Sequence, residues 1–297
     1  MIYTVTTNPS LDYYMSFDGP VKSGEHNRST KEFFDAGGKG VNVSIFLNNL
    51  GIQSACLGFL GGFTKEYYLE SFKKYPYIQP LFTNIKDNTR INIKALDGVS
   101  TSLNAMGPHI SDEEYNKFIT RASRIYDDDY LVLSGRVQNE LWDKIIKLVA
   151  DLARNDVKVI FDTDTPLVEA CLDHMPYAVK LNSYTVGVNE EEIVNKAKDY
   201  ITRGANYVLY SSPVNPNYYL FYDGGALKAT RENAITDAIG TGDAMLAGFI
   251  FSTMRGANPK EAFRYAVVCS KRLTLNDNQA DRKVINDEVD GLEVIDL

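Results

Sequence analysis

The chain has 297 residues, 44% hydrophobic and 11% aromatic, enough apolar material for a sizeable core and far from the composition of a disordered chain. Its 31 Lys and Arg against 39 Asp and Glu give a net charge of -8 with no dense basic run, which excludes a nucleic-acid footprint and requires any anionic ligand to meet a local basic pocket. Cys56, Cys171 and Cys269 lie far apart in apolar surroundings and read as reduced, buried thiols, while His26, His109 and His174 lack metal-ligand spacing.

Residues 1–9 carry no basic stretch followed by a long apolar one, so residues 2–7 read as a first strand rather than a signal peptide, and the cytoplasm is the expected compartment. Further β-rich runs fall at 54–60, 130–134, 157–162, 178–181 and 207–211, with helical patterns at 40–50, 111–124, 139–154, 189–201, 242–255 and 259–275. Ser111 followed by Glu114 is a capping box that fixes one of these helix starts. The alternation predicts an α/β fold, a mostly parallel sheet covered by helices on both faces. The longest apolar run, 244–251, falls well short of the roughly 20 residues that span a bilayer, so no membrane partner is expected.

Residues 11–34 and 90–103 break the alternation. Asp97-Gly98 between alternating runs is a hairpin signal, and the two segments together read as a small β lid outside the main sheet. Exposed edges and an apolar face on such a lid predict pairing with a second copy of the chain.

Two glycine-rich segments carry the chemistry. Asp35-Ala36-Gly37-Gly38-Lys39-Gly40-Val41-Asn42 places glycines and a lysine just before a helix, with Asn42 one turn inside; the Walker A spacing is absent. The backbone can approach a ligand closely there and Lys39 can supply charge, although a simple strand-to-helix turn with a solvated lysine also fits. Near the C-terminus, Asp237-Ala238-Ile239-Gly240-Thr241-Gly242-Asp243 leads into an apolar, small-residue helix, and N–H groups at its start can converge on an anion. Two explanations fit Asp243: a carboxylate favoured by the helix dipole, or a base beside a phosphoryl group.

The two segments resemble the two signatures of the PfkB carbohydrate kinases, and the chain is similar to their 1-phosphofructokinase and tagatose-6-phosphate kinase branch. Thr7-Asn8-Pro9-Ser10-Leu11-Asp12, Gly24-Glu25-His26-Asn27-Arg28, Thr89-Arg90-Ile91-Asn92-Ile93-Lys94, Leu133-Ser134-Gly135 and Lys180-Leu181-Asn182 add to it in family order over nearly the whole chain. The resemblance implies a single ribokinase-like domain over 1–297, a three-layer α/β/α fold with lid strands inserted at about 11–34 and 90–103. It implies transfer of the γ-phosphoryl of ATP to a hexose phosphate, with fructose 1-phosphate favoured over tagatose 6-phosphate and Mg²⁺ bridging the phosphates. Asp243 is then the base, with Gly240, Thr241 and Gly242 as the anion hole. Asp12, Gly37, Gly38, Asn42 and Ser134 face the sugar, Lys39 and Arg90 hold its phosphate with Arg28 reaching in from the lid, and Lys180, Asn182 and Ser211 lie toward ATP.

The sequence departs from the family on the nucleotide side. Thr241 replaces the usual Ala, Thr185 an acid and Leu181 a proline, and Ser211-Ser212-Pro213-Val214-Asn215-Pro216 stands for a Gly-x-x-Gly turn. Arg136 stands where a small residue is common, and would clamp an anion, narrow the pocket, or simply lie solvated. Two other readings remain: a kinase of an unphosphorylated sugar or nucleoside, and a non-catalytic sugar-phosphate or nucleotide sensor.

Overall fold

The run at the N-terminus forms β1 (Ile2–Thr6), from which the chain leaves the sheet for β2 (Ser10–Ser16) and β3 (Lys31–Gly37) and returns through α1 (Lys39–Asn49) and β4 (Ser54–Gly61). After α2 (Gly62–Ser71) come the short β5 (Ile78–Pro80) and β6 (Thr83–Ile85), then β7 (Arg90–Leu96) and β8 (Ser100–Leu103). The next units are α3 (Asp112–Ala122), β9 (Tyr130–Ser134), α4 (Trp142–Ala153), β10 (Lys158–Asp162), α5 (Thr165–Cys171), β11 (Ala178–Leu181), α6 (Ser183–Val186), α7 (Glu190–Thr202) and β12 (Tyr207–Tyr210). The chain ends with β13 (Asn217–Tyr222), β14 (Gly225–Thr230), α8 (Thr241–Thr253), α9 (Pro259–Arg272), α10 (Arg282–Gly291) and β15 (Ile295–Asp296). This computed structural model describes residues 1–98, 100–231, 240–272 and 282–297; positions 237–239 and 273–275 of the expected segments lie outside them.

Eleven strands form the main sheet in the order β15-β14-β13-β12-β11-β10-β9-β1-β4-β5, with β6 also on β4. From β12 to β5 the pairing is parallel, and β13 to β15 add an antiparallel edge. The strands are apolar on both faces because both are covered. Leu131, Leu133, Val159 and Phe161 pack toward α3, α4, α5 and α7, while Ile2, Tyr130, Val132 and Ile160 pack toward α1, α8 and α9. Helix α8 is apolar all round because it is buried between the sheet, α1 and α9. Gly248 lets α9 come close, since a Cβ there would sit 2.7 Å from the Cys269 sulfur. Cys56, Cys171 and Cys269 are buried free thiols, and burial pushes Cys56 up to about 11.

The predicted second sheet is present, with order β3-β2-β7-β8. Its register pairs Asp12 with Asp35 on one side and with Asn92 on the other. The structure adds helices α2, α5 and α10, which the sequence reading did not include, and differs from it at two further places. Residues 139–141 form a 3₁₀ turn before α4, and residues 217–230 form a hairpin, β13 to β14, around Asp223-Gly224. The hairpin follows the parallel strand β12 with no helix between them. Among the described residues no helix is long and apolar enough to cross a membrane.

Candidate active site

In an open parallel sheet, ligands bind beyond the carboxyl ends of the strands, where the strand order reverses. Here that point lies between β1 and β9: the chain builds β4 and β5 on one side of β1 and β9 to β12 on the other. A cleft of about 1090 Å³ opens there beneath the second sheet, and Asp12, Gly37, Gly38, Lys39, Asn42, Arg90 and Ser134 all line it.

Each of these side chains is set by local structure. Asp12 is buried on β2, where its Oδ1 accepts from the Ser10 hydroxyl at 2.6 Å and from Asn92 Nδ2 at 3.0 Å. Gly37 must lack a side chain, because a Cβ would sit 2.5 Å from the Asp12 carboxylate; Gly38, at φ 131°, starts α1. The Arg90 guanidinium is anchored to two backbone carbonyls, Ala105 at 2.8 Å and Asn8 at 2.9 Å, and burial lowers its pKa. The buried Ser134 hydroxyl has no hydrogen-bond partner among the described residues. Arg28 is exposed in the β2–β3 connection and does not line the cleft.

At the floor of the cleft lies a charge cluster in which Asp162, Asp243 and Lys180 are buried. Asn42 Nδ2 donates to Asp243 at 2.8 Å, linking the first turn of α1 to the first turn of α8. Burial pushes the Asp243 carboxyl up to about 6, the charge of Asp162 adds to that, and Lys39, Asn42 and Lys180 oppose it. Asp162, at the end of β10 and 2% exposed, lies 3.4 Å from both the Lys39 and Lys180 ammonium groups. Burial alone would raise its pKa, but Lys180 and Lys39 together hold it below the usual carboxylate range. The charge of Asp162 in turn raises Lys39, against the effect of burial. Two carboxylates in one cluster are thus driven apart, one kept as an anion and one poised to take a proton.

Gly240 takes a left-handed conformation, φ 79°, at the N-cap of α8, a helix start without a side-chain cap. A Cβ on Gly242 would lie 2.8 Å from Lys180 Nζ and 3.7 Å from the Ser211 hydroxyl, so all three converge at this helix N-terminus. Asn182 is differently occupied: its side chain caps α6 by accepting from Tyr184 N at 2.8 Å, and its N–H donates to Thr185 Oγ1 at 2.8 Å. Thr185 thus completes a capping box at the position where the resemblance implied an acid. The 211–216 loop is held without glycines. Buried Arg231 donates to the carbonyls of Ser212 and Pro213, and Asn215 Nδ2 donates to Val188 O at 3.1 Å.

Residues 5–278 match the pfkB family carbohydrate kinases. The chain belongs to that family. Over its whole length this pfkB kinase is 30% identical to a 1-phosphofructokinase of Borreliella burgdorferi, covering 99% of it. It is 28% identical to a D-tagatose-1-phosphate kinase of Bacillus licheniformis, each chain covered completely. Phosphofructokinase-2 of Escherichia coli, solved with substrates and products, shares the fold at a TM-score of 0.89 and 20% identity, over 98% of this chain and 99% of that one. The pfkB architecture of a large, mostly parallel sheet with a smaller second sheet is thereby established, and with it a phosphotransferase whose acceptor is an alcohol.

Sequence reasoning missed Asp162, although a carboxylate ending an otherwise apolar parallel strand is a usable signal: such a position faces the ligand edge of the sheet. It also passed over Asn92 and Ser10, whose part is to orient Asp12.

Proposed function

We propose that this pfkB kinase transfers the γ-phosphoryl group of ATP to a hydroxyl of a hexose phosphate, giving a hexose bisphosphate, with fructose 1-phosphate as the favoured acceptor. The observation that carries this reading is Asp243: a buried carboxyl with a pKa near 6, hydrogen-bonded to Asn42 beside a cleft that holds Lys39 and Arg90. Asp243 takes the proton from the acceptor hydroxyl, and the N-terminus of α8, with Lys180 against Gly242, holds the transferring phosphoryl group. Asp12, Gly37, Gly38 and Asn42 orient the sugar hydroxyls, Ser134 offers its unengaged hydroxyl, and Lys39 and Arg90 balance the charge of the substrate phosphate. Ser211 lies with Lys180 on the nucleotide side; Asn182 acts there through the shape of its capped turn.

Magnesium would neutralise the ATP phosphates. Among the described residues no cluster of three or more acidic, His or Cys side chains is set to hold a metal alone, and Thr185 is tied to Asn182. The donor set fits a cation carried in by the triphosphate. The sensor reading is not favoured, because relatives matched end to end are named as kinases.

The D-tagatose-1-phosphate kinase relative supports a second acceptor, tagatose 1-phosphate, beside the 6-phosphate that the sequence suggested. ADP release measured side by side with fructose 1-phosphate, fructose 6-phosphate, both tagatose phosphates and free fructose is expected to be fastest with fructose 1-phosphate. Turnover only with unphosphorylated sugars would overturn the reading.

The lid also supports a homodimer. Its cleft face carries Asp12, Tyr14 and Asn92, while Tyr13, Met15, Ile91 and Ile93 share the opposite face and are partly exposed. Leu103 on the edge strand β8 is 58% exposed. An apolar sheet face of this kind is covered by a second copy. Light scattering should give a dimer mass for the wild type and a monomer for Ile91→Lys with Tyr13→Lys; a wild-type monomer would sink this proposal.

A further inference from the structure

The first turn of α1 meets both carboxylates of the charge cluster. Lys39 reaches Asp162 at 3.4 Å, and Asn42, one turn later on the same side of the helix, donates from Nδ2 to Asp243 Oδ2 at 2.8 Å. One carboxylate thus faces a cation and the other a neutral amide. Asn42 is half-buried and lines the cleft, and no described residue donates to its amide oxygen, which leaves that atom for a sugar hydroxyl.

Both ends of this contact are fixed by backbone packing. Gly40 lets the turn lie against β1, since a Cβ there would sit 2.6 Å from Thr6 Oγ1 and 2.7 Å from the Val5 carbonyl oxygen. Thr6 Oγ1 also accepts from Val41 N at 3.2 Å, and Asn42 N donates to Gly38 O at 2.9 Å. On the other side Asp243 is 5% exposed on α8, whose first turn closes with Ala244 N donating to Gly240 O at 2.8 Å. A hydrogen bond between two anchored groups fixes the terminal torsion of the Asp243 carboxyl, which in a free side chain is broad and weakly held. Held at Oδ2, the carboxylate keeps Oδ1 for the acceptor.

We propose that Asn42 is a positioning residue for the base: it holds Asp243 by one carboxylate oxygen so that the other takes the proton of the acceptor hydroxyl. The acceptor O–H bond breaks as its oxygen bonds the γ-phosphorus and the bond from that phosphorus to the ADP oxygen opens; the proton passes to Asp243 Oδ1. A neutral amide suits this task better than a cation. Asp162 from β10, Lys39 from α1 and Lys180 from β11 already face Asp243 with charges of both signs, and a further cation at position 42 would lower its pKa and make it a weaker base. The inference rests on the proposed hexose-phosphate kinase activity, and it gives Asn42 a duty beyond that of a sugar ligand.

The test compares wild type with Asn42→Ala and the isosteric Asn42→Asp, using the sugar phosphate that the wild type turns over best. Asn42→Ala is expected to lower kcat roughly 10- to 100-fold, the range for losing a hydrogen bond to a charged group. It should also move the acid limb of kcat/KM to higher pH, because the amide favours the ionised carboxyl. Asn42→Asp should move the limb further the same way, since it replaces the donor with a second negative charge. A residue that only holds the sugar predicts a raised KM, and one that only ties α1 to α8 predicts a lower melting temperature, each with the limb at its wild-type position; an unmoved limb in both variants overturns the inference. A wild type that phosphorylates no sugar phosphate overturns the underlying activity instead. The carbon-13 resonances of labelled aspartate carboxyls, with Asp243 assigned through Asp243→Asn, then decide separately: titration of Asp243 at higher pH in Asn42→Ala than in wild type supports the positioning role, and titration at the same pH overturns it.

Discussion

Asp243→Asn is expected to lower kcat by a factor on the order of 10² to 10⁴ while ATP binding, measured by calorimetry, stays within a few-fold of wild type. The replacement keeps shape and an oxygen that can accept from Asn42, so what disappears is the ability to take a proton. The alternative origin of this carboxylate, favourable pairing with the helix dipole, predicts a pKa at or below the ordinary value. Burial and Asp162 instead push it up to about 6. A variant that retains a tenth or more of wild-type turnover would remove Asp243 as the base.

The same pKa sets the pH profile. Asp243 must be ionised to act, so kcat/KM is expected to fall about tenfold per pH unit once the pH drops below about 6. For stability the sign is opposite to that of a salt-bridged carboxylate. A folded pKa above the unfolded one means that this group contributes most below pH 3.8, and that its contribution is lost as the pH rises through about 6. At neutral pH the wild type therefore bears the cost of a buried, repelled anion, and Asp243→Asn should melt no lower than wild type. Activity and stability pull against each other at this residue, as they do where a fold stores strain for function.

Much of this was legible from residue order alone. The parallel strands were readable because burial on both faces makes them continuous apolar runs, and the lid because Asp97-Gly98 and alternating residues interrupted that pattern. Gly37, Lys39, Asn42 and Asp243 were readable because their chemistry is compressed into two short strings. Asp162 was not: it stands alone in sequence, and only the parallel register of β10 with β9 and β11 brings it between lysines from two other segments. The openness of Arg136, which lines the cleft exposed while Arg90 is tied to two carbonyls, was equally hidden. Whether an arginine is engaged or open depends on carbonyls and carboxylates brought near by the fold, and Arg90 and Arg136 look alike as letters. The capping of Asn182 by Thr185 shows the converse: a departure that read only as a missing acid became, in three dimensions, a closed helix start.

Asp162→Asn should then produce two separable effects. Asp162 is ionised in the folded protein, and removing its charge leaves Lys180, 5% exposed, without its buried counter-charge. Breaking a buried pair from one side costs about 3 kcal/mol, so the melting temperature should fall by several degrees. Because the folded pKa of Asp162 is depressed, its contribution is present above the ordinary carboxylate pKa and fades as the pH falls through the folded value; the gap between wild type and variant should close in acid. The second effect distinguishes a positioning role in catalysis from packing. The charge of Asp162 raises the pKa of Asp243, and the lysines it now holds would act on Asp243 with the opposite sign, so both changes move Asp243 the same way. The acid limb of kcat/KM should therefore shift to lower pH in Asp162→Asn. A variant that loses stability while its acid limb stays at the wild-type position would reduce Asp162 to a structural counter-ion, and the electrostatic coupling between the two carboxylates would have to be given up.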